Sequence, residues 1–194
     1  MKISAVKTFN LTFKAISQSL EKLQKEIDTD QLDDFIKVLV GAFHSGRKVF
    51  VYGAGRSLLV GKAFSMRLMH LGFRSYVIGE VVTPAVSAND IFLVISKTLS
   101  EESLFMAIET AKKFEARIIM MTSVEGNSIL KKVDNLILVP DLKSTMVRMH
   151  GANTPLGTLF EISTMVLLDC AVAELMYRLG ITEEEMEKRH ANIQ

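Results

Sequence analysis

Apolar residues recur at three- and four-residue steps along Ile3, Val6, Phe9, Phe13, Ile16, Leu20, Leu23 and Ile27, which predicts one long helix with a single apolar stripe. Such a stripe has to be covered, either by its own domain or by a neighbouring subunit. A second helix is expected from Thr29 or Asp30, each able to cap it, to His44, with Gly46 ending it. His44 at that end complements the helix dipole and needs no further chemistry. Beyond Gly46 the pattern changes. Near-continuous apolar runs at 48–52, 74–78, 91–96, 117–122 and 135–139 read as strands covered on both faces. Helical segments are expected between them at 57–70, 101–114 and 126–132. This alternation predicts an α/β protein with a doubly wound, flavodoxin-like, five-stranded parallel sheet flanked by helices and joined by right-handed crossovers.

An irregular stretch at 141–153 precedes a long helix expected over 154–180, with Thr154 as N-cap and Pro155 in its first turn. That helix is apolar nearly all round, so burial is expected, partly against another subunit. Thr182-Glu183-Glu184-Glu185 has the form of a capping box and starts one last short helix. The organisation is one domain over 1–194, with N-terminal helices at 1–46, a parallel core at 47–140 and C-terminal helices at 154–194.

Composition narrows the partners. The formal net charge is +1 and no segment gathers Lys and Arg into a basic face, which argues against nucleic acid. The N-terminal helices also lack a helix-turn-helix pattern. Cys170 is the single cysteine, which excludes an intrachain disulfide framework, and its apolar neighbours suggest a small buried hydrophobe. The first 25 residues have no continuous apolar core of the signal-peptide kind. The longest apolar run, Met165 to Leu175, is broken by Asp169 and Glu174 and is too short to span a bilayer. A cytoplasmic location without membrane attachment is therefore expected.

The first strand runs into Gly53-Ala54-Gly55-Arg56-Ser57. Two glycines allow a sharp turn with positive φ and close approach of a ligand to the backbone. The following helix N-terminus attracts anions, and Arg56 and Ser57 add a guanidinium and a hydroxyl at the same point. The plainer alternative is a tight strand-to-helix connection with no ligand. A dinucleotide fingerprint would need Gly or Ala at its sixth position, where Leu58 stands.

This turn, together with Met66-Arg67-Leu68-Met69-His70-Leu71-Gly72-Phe73, Gly79-Glu80, Thr83-Pro84, Pro155-Leu156-Gly157-Thr158, Phe160-Glu161, Lys188-Arg189-His190 and Asn192, resembles the sugar isomerase (SIS) family, and within it the 6-phospho-3-hexuloisomerases. The resemblance covers nearly the whole chain in order. It implies interconversion of 3-hexulose 6-phosphate and fructose 6-phosphate through an enediolate, without metal or organic cofactor, in a homotetramer with sites shared between subunits. A base, a proton shuttle and a phosphate grip are needed. Glu161 is the candidate base, an acid in an otherwise apolar helix where desolvation would raise its pKa. Thr158 and Thr164 share its stripe. His190 is the candidate proton shuttle on the resemblance, although from sequence alone a solvated histidine near the terminus reads as well. His70 reads as a packed, hydrogen-bonded helix end, His150 has no identifiable partner, and Arg67 is open between an ion pair and a ligand contact.

The family's phosphate loop, of the form Ser-x-Ser-Gly-x-Thr, is matched here by Ser96-Lys97-Thr98-Leu99-Ser100-Glu101. Ser96, Thr98, Ser100 and Ser103 are the candidate phosphate-binding hydroxyls. Leu99 is expected to resist the positive φ that glycine would take. Glu101 replaces a hydroxyl with a carboxylate, which at ~5 Å from a phosphate dianion costs roughly 6 kcal/mol at an effective dielectric near 20. Alternatively, Glu101 and Glu102 fill the helix's anion site with the protein's own charge. Three functions follow: an active phosphohexulose isomerase, a catalytically silent sugar-phosphate-binding or sensing module, and, far behind, a nucleotide-cofactor enzyme.

Overall fold

The computed structural model describes residues 6–140 and 152–193. Ile3, His150 and almost all of the expected irregular stretch lie outside them. The elements in order are α1 (Lys7–Glu26), α2 (Thr29–His44), β1 (Lys48–Gly53), α3 (Gly55–Leu71), β2 (Arg74–Val77), β3 (Ile91–Ile95), α4 (Glu102–Lys113), β4 (Arg117–Thr122), a 3-10 turn (Ser128–Lys132), β5 (Asn135–Leu138), α5 (Thr158–Leu179) and α6 (Glu183–Glu187).

The five strands are all parallel, in the order β2-β1-β3-β4-β5. This is the flavodoxin-like order that the alternation predicts. Strand residues alternate between two apolar layers because successive side chains point to opposite faces. Val49, Val51, Leu93, Ile95, Ile119 and Met121 pack with α2, α3 and α5. Phe50, Phe92, Val94, Ile118 and Met120 pack with Leu104, Ile108 and Ala111 of α4. Both faces are covered, which is why the strands read as unbroken apolar runs.

Four expectations about the helices change. Asp28, not Thr29 or Asp30, caps α2, its carboxylate accepting from the N–H groups of Asp30 and Gln31. The expected helix at 126–132 is a single 3-10 turn, Ser128–Lys132, capped by Asn127, since Gly126 takes a left-handed φ of 74° that no helix begun there could hold. The last long helix starts four residues later than Thr154. Leu156 takes φ 51°, a left-handed conformation that breaks any helix begun at Pro155, so α5 opens at Thr158 behind Gly157. Cys170 is exposed rather than buried, because it lies on the outer side of α5.

The stripe on α1 is covered only in its second half. Ala15, Ser19 and Leu23 are buried, and Ser19 Oγ meets Ser163 Oγ of α5 at 3.3 Å. Phe9 and Phe13 stack on each other and are 66% and 64% exposed.

Close packing of α3 on β1 depends on Gly61, where a Cβ would come within 2.6 Å of Val51 Cγ1. Gly61→Ala is expected to destabilise by about 1–3 kcal/mol in urea unfolding through overpacking. The cost should shrink in a Val51→Ala background, where the clashing methyl is gone. Equal costs in both backgrounds would contradict this contact.

Candidate functional site

The order of the strands reverses between β1 and β3, and ligands in open α/β sheets bind beyond the carboxyl ends of strands at such a point. Gly53 pairs in register with Ile95, so the turn after β1 and the loop after β3 leave the sheet side by side. Gly53 does not take a positive φ. Its need is steric: a Cβ would meet Ile95 O at 3.0 Å, Leu58 N at 3.1 Å and the Ser57 carbonyl carbon at 3.2 Å, all backbone atoms that cannot move aside. Gly55 supplies the left-handed bend, with φ 52°.

Three helices start around the switch point without a side-chain cap. α3 follows Ala54, α4 follows Glu101 and α5 follows Gly157. Elsewhere, α2, the 3-10 turn and α6 are capped by Asp28, Asn127 and Thr182, and α1 begins uncapped behind Val6. Uncapped first turns leave backbone N–H groups for an external anion.

Two of these helix starts are tied by charge. Arg56, in the first turn of α3, donates from Nε to Glu161 Oε2 in the first turn of α5. The Glu161 residue is 8% exposed, and Gly157 makes room for it, since a Cβ there would lie 2.8 Å from Glu161 Oε1. The acid is thus buried as expected, but against a guanidinium rather than in purely apolar surroundings. Thr158 and Thr164, on the same stripe, do not bond to it. Their hydroxyls donate to the carbonyls of Pro155 at 2.6 Å and Phe160 at 2.8 Å.

The loop after β3 departs from expectation in an informative way. Leu99 does adopt a positive φ, 52°, and its side chain is 2% exposed in the cluster with Leu104 and Ile108. A left-handed leucine costs roughly 1–2 kcal/mol, whereas burying it contributes about 1.5–3 kcal/mol, so burial wins and the loop bends as a glycine would let it. Thr98 Oγ1 and Ser100 Oγ lie 3.0 Å apart, Ser96 N–H bonds Met121 O at 3.0 Å, and Ser103 stands exposed in the first turn of α4. Glu101 and Glu102 are exposed, and neither seals the helix N–H groups by a side-chain cap. With water around Glu101, the repulsion of a dianion at ~5 Å falls to about 1.7 kcal/mol. That is no more than the ~1.5–3 kcal/mol of one hydrogen bond to a charged group, so the carboxylate would weaken an anion's binding at this loop without abolishing it. Ser57, by contrast, is buried.

His190 is not brought to Glu161 within one chain. α3 and α5 run side by side in the same direction, with Arg56 and Glu161 at their starts. His190 lies near their far ends, in a groove of about 430 Å³ lined by Arg67, His70, Asp169 and Met176, among others. Asp169 is already ~12 Å along the axis from Glu161. Arg67 therefore faces the His190 groove, not the glycine turn. His70 is buried as expected, and its ring stacks on His190 at 5.0 Å. Sequence reading missed this pairing because the two residues are far apart in the chain. Burial first, then the charges of His190 and Arg67, hold His70 below the usual histidine range, with Glu187 opposing them. A larger groove, about 570 Å³, lies at the opposite, amino end of the strands beside Arg47 and Arg117. Among the described residues, no group of three or more His, Cys, Asp or Glu side chains is gathered to hold a metal, and no helix is long and apolar enough to cross a membrane.

An open, all-parallel five-stranded sheet in the order β2-β1-β3-β4-β5, with glycine and hydroxyl loops at its switch point, defines a class of doubly wound α/β proteins. Comparison with known sequences makes the class specific: residues 42–166 match the SIS domain model, and the chain belongs to the SIS domain family. A Methylomonas aminofaciens protein named 3-hexulose-6-phosphate isomerase is 41% identical, covering 84% of this chain and 87% of its own. A Methanocaldococcus jannaschii protein of the same name is 33% identical over 92% of this chain and 94% of its own. A crystal structure from Methanococcus jannaschii, described as inferring a 3-hexulose-6-phosphate isomerase function, superposes with a TM-score of 0.82 at 33% identity, covering 94% and 98% of the two chains.

Two outcomes follow from these geometries. Leu99→Gly loses more burial than it gains in backbone relief, so urea unfolding should show it less stable by about 1–3 kcal/mol; a stabilised variant would mean that strain dominates the loop. Because His70 binds its proton more weakly folded than unfolded, the unfolded chain takes up more protons as pH falls below 6.5, the ordinary value, and stability drops there. The melting temperature should therefore fall less between about pH 7 and pH 5 in His70→Phe than in the parent, and identical slopes would exclude His70 as a contributor.

Proposed function

We propose that this protein is a sugar-phosphate isomerase that interconverts 3-hexulose 6-phosphate and fructose 6-phosphate. The observation that carries the reading is the buried Glu161 carboxylate at the switch point, beside a hydroxyl loop and uncapped helix starts, in a chain whose relatives bear that enzyme name. The phosphate is held by Ser96, Thr98, Ser100 and Ser103 with the first turn of α4, while Gly53, Gly55, Arg56 and Ser57 border the sugar.

With the carbonyl at C3, Glu161 removes the proton from C2 and the electron pair forms the C2–C3 double bond, leaving negative charge on the C3 oxygen. Arg56, whose side chain is 60% exposed, is free to turn from Glu161 toward that oxygen and stabilise the enediolate. His190 carries a proton from the C2 oxygen to the C3 oxygen. Glu161 then returns its proton to C3 and the carbonyl stands at C2. No electron acceptor or metal is consumed in this balance.

Because Glu161 and His190 stand at opposite ends of the α3–α5 pair, the reading requires the histidine to come from a second copy. Exposed apolar side chains support such an assembly: Leu59, Met66 and Met69 on α3, Val166 and Tyr177 on α5, and Phe9 and Phe13 on α1. A homotetramer in the cytoplasm, formed without nucleic acid, is the proposed working state. The catalytically silent sensor is the second reading, favoured by Glu101 at a position where a hydroxyl is expected.

Incubation with 3-hexulose 6-phosphate should yield fructose 6-phosphate, and Glu161→Gln should lower kcat by ~10²–10⁴-fold with little change in KM. Thermal stabilisation by fructose 6-phosphate without any turnover would favour the sensor. Light scattering after size exclusion should show four chains, and Met66→Glu should reduce both the assembled mass and the turnover. A monomeric Met66→Glu with full activity would contradict the shared site.

A further inference from the structure

The last turn of a helix leaves carbonyls without partners inside the helix. At the end of α3, Leu68 O accepts from Phe73 N–H and Met69 O from Gly72 N–H, both at 2.9 Å. His70 O accepts from the Arg189 guanidinium, whose Nη1 lies 3.1 Å away and also reaches Glu185 O at 3.2 Å. The cation lies across Gly72, where a Cβ would come within 3.4 Å of it and where φ is 94°. A positive charge at a helix C-terminus is favourable by itself. Here it also joins the C-terminal tail to α3.

The tail is held from its other side as well. Thr182 and Glu185 form a full capping box at the start of α6, and Met186 is buried in the core cluster. His190 N–H donates to Glu187 O at 3.0 Å, and its Nδ1 lies 3.1 Å from Ala191 O. Its ring then lies on the buried ring of His70 with an interplanar angle of 26°. The backbone and the ring of His70 are thus both used, one by Arg189 and one by His190.

We propose that Arg189 and His70 form a clamp that positions His190, fixing the tail to the end of α3 and presenting the imidazole of one chain to a neighbouring chain. The proposal rests on the reading of His190 as the proton shuttle of the isomerisation. Neither Arg189 nor His70 touches substrate in it; both are positioning residues. The charged groups facing the pair are Arg67 from α3, Asp169 from α5, and Glu183, Glu187 and Arg189 from α6 and its continuation. Burial keeps the His70 ring neutral near neutral pH, so it does not repel His190 when that ring is protonated.

The test uses the full chain with labelled histidine, reading the His190 ring resonance by NMR and turnover of 3-hexulose 6-phosphate in parallel. Arg189→Ala and His70→Ala are each expected to shift the His190 resonance and its titration, and to lower kcat by ~10–100-fold with KM within about twofold, as for a displaced catalytic group. His70→Phe keeps a ring to stack on and should retain most of the activity, and Arg189→Lys should recover part of it. An unmoved His190 resonance in both alanine variants overturns the clamp, whatever the activity. Should the parent not turn over the sugar phosphate, the proposed function fails but the clamp is still decided by the resonance. Should His190→Asn retain full activity while the alanine variants shift the resonance, the clamp stands as a structural device and its catalytic purpose is overturned. Circular dichroism identifies a variant that fails to fold, and the ringless His70→Leu and uncharged Arg189→Gln then decide by the same resonance, which moves if the clamp holds and stays if it does not.

Discussion

The ion pair between Arg56 and Glu161 is the interaction on which the site's geometry rests. It joins the starts of α3 and α5, two helices that belong to separate parts of the chain, and so fixes both beside the reversal of strand order. A buried carboxylate without a partner would be costly. With the guanidinium beside it, the acid can be held in a closed position that Gly157 leaves just large enough. Removing Arg56 leaves the buried acid poorly compensated, whereas the Arg56 side chain, 60% exposed, is solvated without Glu161, so the pair constrains the position of the acid above all.

Around that pair the structure leaves polar capacity unused. α2 and α6 close their first turns with Asp28 and Thr182, whereas α3, α4 and α5 keep theirs open at the switch point, as α1 does elsewhere. Open first turns are unfavourable in an isolated helix and favourable where an anion will lie. Leu99 shows the same priority in the backbone. Its left-handed φ is held by burial against α4, so the loop is shaped before any ligand arrives.

Much of this was legible in the sequence because apolar periodicity reports burial, and burial decides the layers. The five strands, their parallel order and the turn at Gly53 to Ser57 all follow from it. Glu161 stood out as an acid among apolar residues. What was illegible depends on pairs distant in the chain. Nothing local ties Arg56 to Glu161 or His70 to His190, and Arg67, open in the sequence between an ion pair and a ligand contact, lies with His70 and His190 in a groove no local pattern marks. The start of α5 was misplaced because Thr154 and Pro155 form a good start signal, while the left-handed Leu156 that overrides it has no sequence mark. At Leu99 a general steric preference was outweighed by burial that only the folded chain supplies.

The account's central claim is the location of sugar phosphate at the switch point, and a crystal structure with fructose 6-phosphate bound tests it most directly. The account requires the phosphate among Ser96, Thr98, Ser100 and Ser103, with the C2–C3 bond of the sugar within ~3 Å of a Glu161 carboxylate oxygen. Phosphate bound instead in the groove beside Arg47 and Arg117, at the amino ends of the strands, would contradict it.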